Sequence, residues 1–157
     1  VRIEPANLRA RFELGRAYGA MERTTEQVDT FKEILDQQPD HIPTLLGLGA
    51  TLGEIGRLDE AMVLFGRAGD LEPENELVHY NIGVTYNRMQ RPEDAVRAYT
   101  RAIRANARMV AAHFNLGMTY LNQGQRKLAL DQYEILNGLG AASAQKLFDR
   151  IYPESAE

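Results

Sequence analysis

Apolar side chains recur along this chain at spacings of three and four residues, the pattern of a helix with one buried face. Within residues 76–89 this stripe consists of His79, Ile82, Gly83 and Tyr86. The break at Arg91-Pro92 separates it from a second stripe, which contains Ala95, Tyr99 and Ala102. Each stretch of this kind therefore predicts two helices joined by a short turn.

The whole pattern repeats with a period of 34 residues. One column holds an aliphatic residue followed by glycine, at Leu14-Gly15, Leu48-Gly49, Ile82-Gly83 and Leu116-Gly117. Another column is aromatic, at Phe31, Phe65, Tyr99 and Tyr133. Glycine inside a helix costs about 1 kcal/mol relative to alanine, so its recurrence predicts a close approach of a neighbouring helix. The constant period delimits four helix-turn-helix units, at residues 8–41, 42–75, 76–109 and 110–143.

The two ends of the chain differ from the repeated units. Residues 144–152 place Leu147, Phe148 and Ile151 on one helical face, which predicts a capping helix that is polar on its outer side. Pro153 ends that helix and leaves residues 153–157 as a tail. Residues 1–7 align with the end of a second helix, so we expect them to be the remnant of a preceding repeat in a longer protein.

Taken together, the period and its columns resemble the tetratricopeptide repeat family over residues 8–143. The resemblance implies an all-α fold, a right-handed α-solenoid of four tetratricopeptide units followed by the capping helix. It also implies that the first helix of each unit lines a concave face and that the second lines a convex face. The function that the resemblance implies is protein–protein interaction.

Composition argues against several other classes of protein. The chain has no cysteine, a net charge of −4 and no apolar run of the ~20 residues that a transmembrane helix needs. His79 and His113 occupy the same place in successive units, within the core stripe, so we interpret them as packing residues. We therefore predict a protein that is not an enzyme, with no metal, no cofactor, no nucleic-acid partner and no direct insertion into a membrane.

A second stripe on the first helices predicts the binding site. One residue further along is roughly 100° around a helix, so this stripe faces away from the partner helix. Its members and their polar neighbours form the candidate groove, which would bind an extended peptide or a partner helix: Phe12, Arg16, Leu46, Ala50, Tyr80, Asn81, Val84, Asn87, Arg88, Phe114, Asn115, Met118, Leu121 and Asn122. The alternative is that some of these side chains pack on the next unit.

Two asparagines of the candidate groove lie one period apart. Asn81 and Asn115 resemble the amide ladder with which some superhelical members, such as the helical arm of O-GlcNAc transferases, hold a peptide backbone. Their alternative role is as solvated or capping residues. Members that bind chaperone C-termini use several basic groove residues, whereas the matching places here contain only Arg16, which argues against that specialisation.

Charge is distributed unevenly, because units 1 and 2 are net acidic and units 3 and 4 are net basic. A possible basic ridge on the convex side consists of Arg97, Arg101, Arg104 and Arg108. It is a solvated face, a surface for an anionic partner, or a contact for the acidic half of another copy. The alternative functions are therefore a self-assembling scaffold, which makes the chain a possible homo-oligomer, and a recruiting or regulatory arm of a larger enzyme.

Overall fold

The structure is a computed structural model that describes residues 5–153, with side chains from Asn7 onward. These residues form nine α-helices: α1 (Pro5–Ala20), α2 (Thr24–Gln37), α3 (Ile42–Glu54), α4 (Leu58–Leu71), α5 (Glu76–Arg88), α6 (Pro92–Ala105), α7 (Val110–Asn122), α8 (Arg126–Gly138) and α9 (Ser143–Ile151). The chain divides between Pro73 and Glu74 into two compact units, each larger than one 34-residue repeat. The first unit contains α1 to α4 and the second contains α5 to α9. From here on, "unit" refers to these two parts, and the 34-residue segments are called repeats. No helix in the described range is both long and apolar enough to cross a membrane.

The helix boundaries correct one expectation about the ends of the chain. Helix α1 begins at Pro5, so residues 5–7 belong to the first helix and not to the remnant of a preceding one. Residues 1–4 of that expected remnant lie outside the described residues. At the other end, α9 occupies most of the segment for which a capping helix was predicted.

The first unit is held together by contacts between helices that follow one another in the chain. Helix α1 packs on α2, α2 on α3 and α3 on α4. The predicted aromatic column lies at the centre of these contacts, with Phe31 and Phe65 each only 1% exposed. Full burial of an aromatic side chain contributes roughly 1.5–3 kcal/mol relative to an exposed one. These two rings are therefore principal contributors to the core of this unit.

Within the second unit, the helices pack in the same order as within the first, and a terminal helix is added. Helices α5 to α8 pack in chain order, and α9 packs on both α8 and α7. Leu147 and Ile151 of α9 are buried with Leu136 of α8. Polar residues of α9 such as Gln145 and Lys146 remain exposed. This amphipathic helix thus covers the apolar end of the last repeat, as expected of a cap.

The glycine column permits the close approach of a neighbouring helix that its recurrence predicts. The residue that approaches the glycine differs between repeats. A Cβ atom on Gly49 of α3 would lie 2.5 Å from the Phe65 ring of α4. A Cβ atom on Gly117 of α7 would instead lie 2.6 Å from the Leu147 side chain of α9. In the last repeat, a residue of the capping helix α9 therefore faces the glycine in place of the repeat's own aromatic residue.

The turn inside each repeat requires a left-handed backbone conformation at one position. Gly56 and Gly124 adopt it with φ of 83° and 74°, and Glu22 and Gln90 adopt it with φ of 58° and 57°. All four positions are related by the 34-residue period. Residues other than glycine pay about 1–2 kcal/mol for this conformation, so two of the four turns are strained.

Candidate functional site

The clearest exposed face of the first helices lies in the second unit, where α5 and α7 contact each other. One stripe on each helix follows the spacing of four, three and four residues. We call these two stripes the α5/α7 face: Leu77, Asn81, Val84 and Arg88 on α5, and Ala111, Asn115, Met118 and Asn122 on α7. The face combines apolar side chains with three amides and one guanidinium group.

The two asparagines predicted to hold a peptide differ in their hydrogen bonding. The Asn115 side-chain amide donates to the Tyr80 hydroxyl, with 3.1 Å between Nδ2 and Oη. Its carbonyl Oδ1 makes no hydrogen bond within the described part of the chain. Asn81 is half-buried, and no described residue is hydrogen-bonded to its side-chain amide. Asn81 therefore offers a donor and an acceptor, whereas Asn115 is held in place by Tyr80.

Asn87, which the sequence placed at the polar edge of the groove, contacts the interior. Its Nδ2 donates to the Tyr99 hydroxyl at 3.2 Å and to the Thr119 Oγ1 at 2.8 Å. Burial raises the pKa of the Tyr99 hydroxyl well above its usual range, while the hydrogen bond from Asn87 acts in the opposite direction. The structure thus gives Asn87 a role in satisfying a buried hydroxyl group, which corrects its assignment to the groove edge.

Several apolar residues of the candidate groove are used in packing. Tyr80 and Val84 pack on the cluster that contains Tyr99 and Leu116. A second set packs on the core formed by α8 and α9, and consists of Phe114, Met118 and Leu121. All of these side chains are half-buried, so each also presents some surface to solvent. Packing on the next element, the alternative considered from the sequence, therefore accounts for part of this stripe.

In the first unit, the candidate groove residues lie on α1 and α3. The Phe12 ring stacks on Phe31 with 5.6 Å between centroids and meets the His41 ring edge-on at 5.8 Å. Leu46 and Ala50 of α3 are half-buried, whereas Arg16 of α1 is exposed. Arg16 forms a surface ion pair with Glu13 at 3.4 Å. Phe12 is thus mainly a packing residue, and the unit offers limited apolar surface on this side.

The basic ridge is exposed along its whole length. Arg97, Arg101 and Arg104 lie on α6, and Arg108 lies in the turn that follows it. Arg97 pairs with Asp94 of the same helix. Arg101 and Arg104 make no ion pair with any residue from 5 to 153.

Sequence reasoning left out two exposed apolar features. Leu77 is 47% exposed and extends the α5 stripe, and its spacing of four residues from Asn81 was the available signal. The other is a depression of about 320 Å³ in the first unit, lined mainly by Leu35, Leu48, Leu52, Val63 and Leu64. Val63 is 72% exposed there. No sequence pattern indicated this depression, because it depends on how α2, α3 and α4 meet.

The histidines of the core stripe have different environments. His113 is buried, with its Nδ1 2.8 Å from Gln132 Oε1 and its Nε2 3.1 Å from the Ala107 carbonyl oxygen. His79 is half-buried. Among the described residues, no group of three or more histidine, aspartate or glutamate side chains is placed to bind a metal.

Paired helices repeated at a fixed period, each pair with a glycine facing a large side chain, define a helical-repeat protein. Family comparison identifies the repeat. Two family models described as tetratricopeptide repeat match residues 8–41 and residues 80–144. The chain belongs to the tetratricopeptide repeat family, which confirms the resemblance seen in the sequence. Repeats of this family are protein-interaction modules and are generally not enzymes.

Solved structures support the same fold. A crystal structure of the MamA protein is 21% identical, with a TM-score of 0.70 over 93% of this chain and 90% of that one. A structure of MamA 41-end from Desulfovibrio magneticus RS-1 is 18% identical, with a TM-score of 0.73 over 98% of this chain and 78% of that one. The MamA RS-1 ArsTM double mutant is 19% identical, with a TM-score of 0.75 over 87% of this chain and 77% of that one.

These likenesses confirm the predicted fold class, an all-α helical-repeat solenoid. At these levels of identity they bear on the fold alone. Among curated protein sequences, no significant match is found.

Proposed function

We propose that this protein-interaction module binds an extended peptide on the α5/α7 face. The observation that carries the proposal is the half-buried Asn81 amide, which has no hydrogen-bonding partner among the described side chains. A primary amide both donates and accepts hydrogen bonds, so it matches the N–H and C=O groups of a peptide backbone. Side chains of the peptide would not be needed for this contact.

Asn115 would supply the second backbone contact. Tyr80 accepts one of its N–H donors and so restricts the rotamers of the Asn115 side chain. Its Oδ1 then remains available to a backbone N–H group of the ligand. Because the amide is already ordered, binding would cost less conformational entropy than ordering a free side chain.

Apolar contacts would come from the residues around the two amides. Leu77 is substantially exposed, and Val84 and Met118 are half-buried members of the same face. Arg88 adds a positive charge at the end of the α5 stripe. We therefore expect the bound segment to be extended and apolar, with an acidic residue near one end. Leu46 and Ala50 offer apolar contact on the corresponding side of the first unit but no amide.

A peptide library displayed on phage tests the proposal directly. Peptides selected on the folded chain are synthesised, and their Kd is measured by fluorescence anisotropy for wild type and for Asn81→Ala. The loss of a desolvated hydrogen bond is worth about 1–3 kcal/mol, so we expect Kd to rise roughly 5- to 100-fold. Asn115→Ala should weaken binding by a similar factor.

The matched control is Asn137→Ala, which removes an exposed amide from α8. Its Kd should equal that of wild type, and all variants should show unchanged helicity by circular dichroism. Equal Kd values for wild type and Asn81→Ala would overturn the proposal, as would a library that yields no binding sequence.

A further inference from the structure

An inversion of charge links the second helix of the first repeat to that of the third. Four positions of the 34-residue repeat carry carboxylates in the first repeat and guanidinium groups in the third. The first set, which we call the acidic row, consists of Asp29, Glu33, Asp36 and Asp40. Each member lies two periods before the corresponding member of the basic ridge.

The two sets have equivalent positions in their helices. Three members of the acidic row lie on α2 and the fourth in the turn after it, as the basic ridge lies on α6 and the turn after that helix. All eight residues are exposed. Spacings of four and three residues correspond to about 6 Å and about 4.5 Å along a helix, so both sets form nearly straight rows with matching spacing.

Internal ion pairs occupy some members of both rows and leave the others unpaired within the described part of the chain. Glu33 pairs with Arg11 at 3.5 Å, and Asp40 pairs with Arg67 at 2.8 Å. In contrast, Asp29 and Asp36 form no ion pair within residues 5–153, and the same holds for Arg101 and Arg104. Carboxylates of the acidic row and guanidinium groups of the basic ridge are thus available to neutralise one another between molecules.

We infer that the basic ridge of one copy of this chain binds the acidic row of a second copy. Arginine and carboxylate rows with equal spacing bring opposite charges together in either relative direction of the two helices, which favours a second copy over an unrelated anion. The acidic row also borders the apolar depression, because Asp36 and Lys32 belong to its lining. The aliphatic stems of the arginines can cover the exposed Val63 while their guanidinium groups reach the carboxylates.

This contact is distinct from the proposed peptide site. It uses second helices, and no residue of the α5/α7 face belongs to either row. A monomeric protein could therefore still bind peptide, and a protein that binds no peptide could still associate through the two rows.

Charge reversal with exchange tests the inference. Wild type is examined by sedimentation velocity over a concentration series at about 0.02 M and about 0.5 M NaCl, where the Debye lengths are roughly 20 Å and 4 Å. We expect a weight-average mass that rises with concentration at low salt and returns to the monomer value at high salt. Closed dimers and longer chains both satisfy the pairing, and the limiting mass distinguishes them.

Two double variants each cancel the net charge of one row. The first, Arg101→Glu with Arg104→Glu, leaves two arginines and two glutamates in the basic ridge, and the second, Asp29→Arg with Asp36→Arg, leaves two arginines and two carboxylates in the acidic row. Each alone should remain monomeric at low salt. Their equimolar mixture should associate again, because the unchanged acidic row of the first variant can then bind the unchanged basic ridge of the second.

Lys127→Glu with Lys146→Glu is the matched control for the first variant, because it makes the same change in net charge at two exposed residues outside both rows. It should associate as wild type does. A wild type that stays monomeric at low salt would overturn the inference. So would association that resists both reversals, or two reversed variants whose mixture stays monomeric.

Discussion

Equivalent core positions of the two units are filled in different ways. In the first unit, Phe65 is buried and the position twelve residues before it is Gly53. In the second unit, the corresponding residues are Tyr99 and Asn87. The Asn87 amide donates to the Tyr99 hydroxyl, so the extra polar atom and its partner occur together.

This difference shows how a repeat can bury a polar group and keep the same fold, provided that a hydrogen-bonding partner is buried with it. A buried hydroxyl without a partner costs about 1–3 kcal/mol, whereas a bonded one is close to neutral. The Asn87 amide also donates to Thr119, so it connects α5 with α7. In the second unit, the Asn87 amide thus joins α5 to α7, the same two helices that carry the asparagines we propose for peptide binding.

The largest expected effect tests the connection made by Asn87. Asn87→Ala removes the donor to both Tyr99 and Thr119, so we expect the free energy of unfolding to fall by about 2 kcal/mol. Urea unfolding followed by circular dichroism measures this change. Adding Tyr99→Phe should cost less in the Asn87→Ala background than in wild type, because its hydroxyl has already lost that donor. Additive losses would show that the two side chains are not coupled.

The same pair can be transferred into the first unit. Phe65→Tyr alone should destabilise the protein, because it buries a hydroxyl where no amide is available. Adding Gly53→Asn should recover part of the loss, since a Cβ atom there would meet only the Ala61 Cβ at 3.9 Å. The urea midpoints of the single and double variants give the comparison, and a double variant less stable than the sum of its parts would contradict it.

A smaller effect contrasts the two kinds of neighbour that the glycine column faces. Gly49→Ala brings a Cβ atom against the buried Phe65 ring, so we expect a net loss of about 1–2 kcal/mol after the gain in helix propensity. In Gly117→Ala the new Cβ atom meets the end of the Leu147 side chain, which has more rotatable bonds than an aromatic ring, and lies 3.2 Å from the Gln132 Cβ. The cost of this substitution should be below about 1 kcal/mol. Thermal unfolding of both variants measures these losses of stability. Equal losses would show that the type of neighbour makes no difference.

The strained turns predict a gain in stability. Gln90→Gly relieves a left-handed conformation at a non-glycine residue and should raise the free energy of unfolding by about 0.5–1 kcal/mol. Gly56→Ala, at the equivalent position of the first unit, should lower it by about 1 kcal/mol. Chemical unfolding measures both changes. A Gln90→Gly variant less stable than wild type would show that the turn is not strained.

The smallest effect is a pH dependence confined to the first unit. Burial lowers the pKa of His41, whose Nδ1 lies 2.7 Å from the Thr44 hydroxyl. The unfolded chain therefore binds this proton more readily, and stability should fall as the pH drops below the usual histidine pKa of about 6.5. His41→Gln should reduce the slope of unfolding free energy against pH between 5 and 7. An unchanged slope in that variant would assign the dependence to other groups.

The fold was largely predictable because its signals are periodic. Phe31, Phe65 and Tyr99 fall in one column, and all three are buried. The apolar stripe of residues 144–152 likewise predicted the helix that covers the last repeat. The start of α1 at Pro5 was missed, because alignment with later repeats placed that residue before the helix.

The candidate site was less predictable because a stripe on one helix does not show what covers it. Phe114, Met118 and Leu121 have the spacing of an exposed face, yet they pack on the core of α8 and α9. Asn87 lies near the end of α5, where the sequence placed it at the polar edge of the groove, but its amide donates to the Tyr99 hydroxyl on α6. A signal for this contact was available in the sequence. At two equivalent positions of the repeat, Gly53 and Phe65 are replaced together by Asn87 and Tyr99, which indicates that the amide and the hydroxyl interact.

The most direct test of the central proposal is a nuclear magnetic resonance titration of the folded chain with a peptide selected on wild type. The side-chain amide signals of Asn81 and Asn115, and the backbone signals of α5 and α7, should show the largest shifts. Those of Asn137 on α8 should stay in place. Shifts confined to α2, α6 or other helices, with Asn81 unaffected, would contradict the assignment of the α5/α7 face as the peptide-binding site.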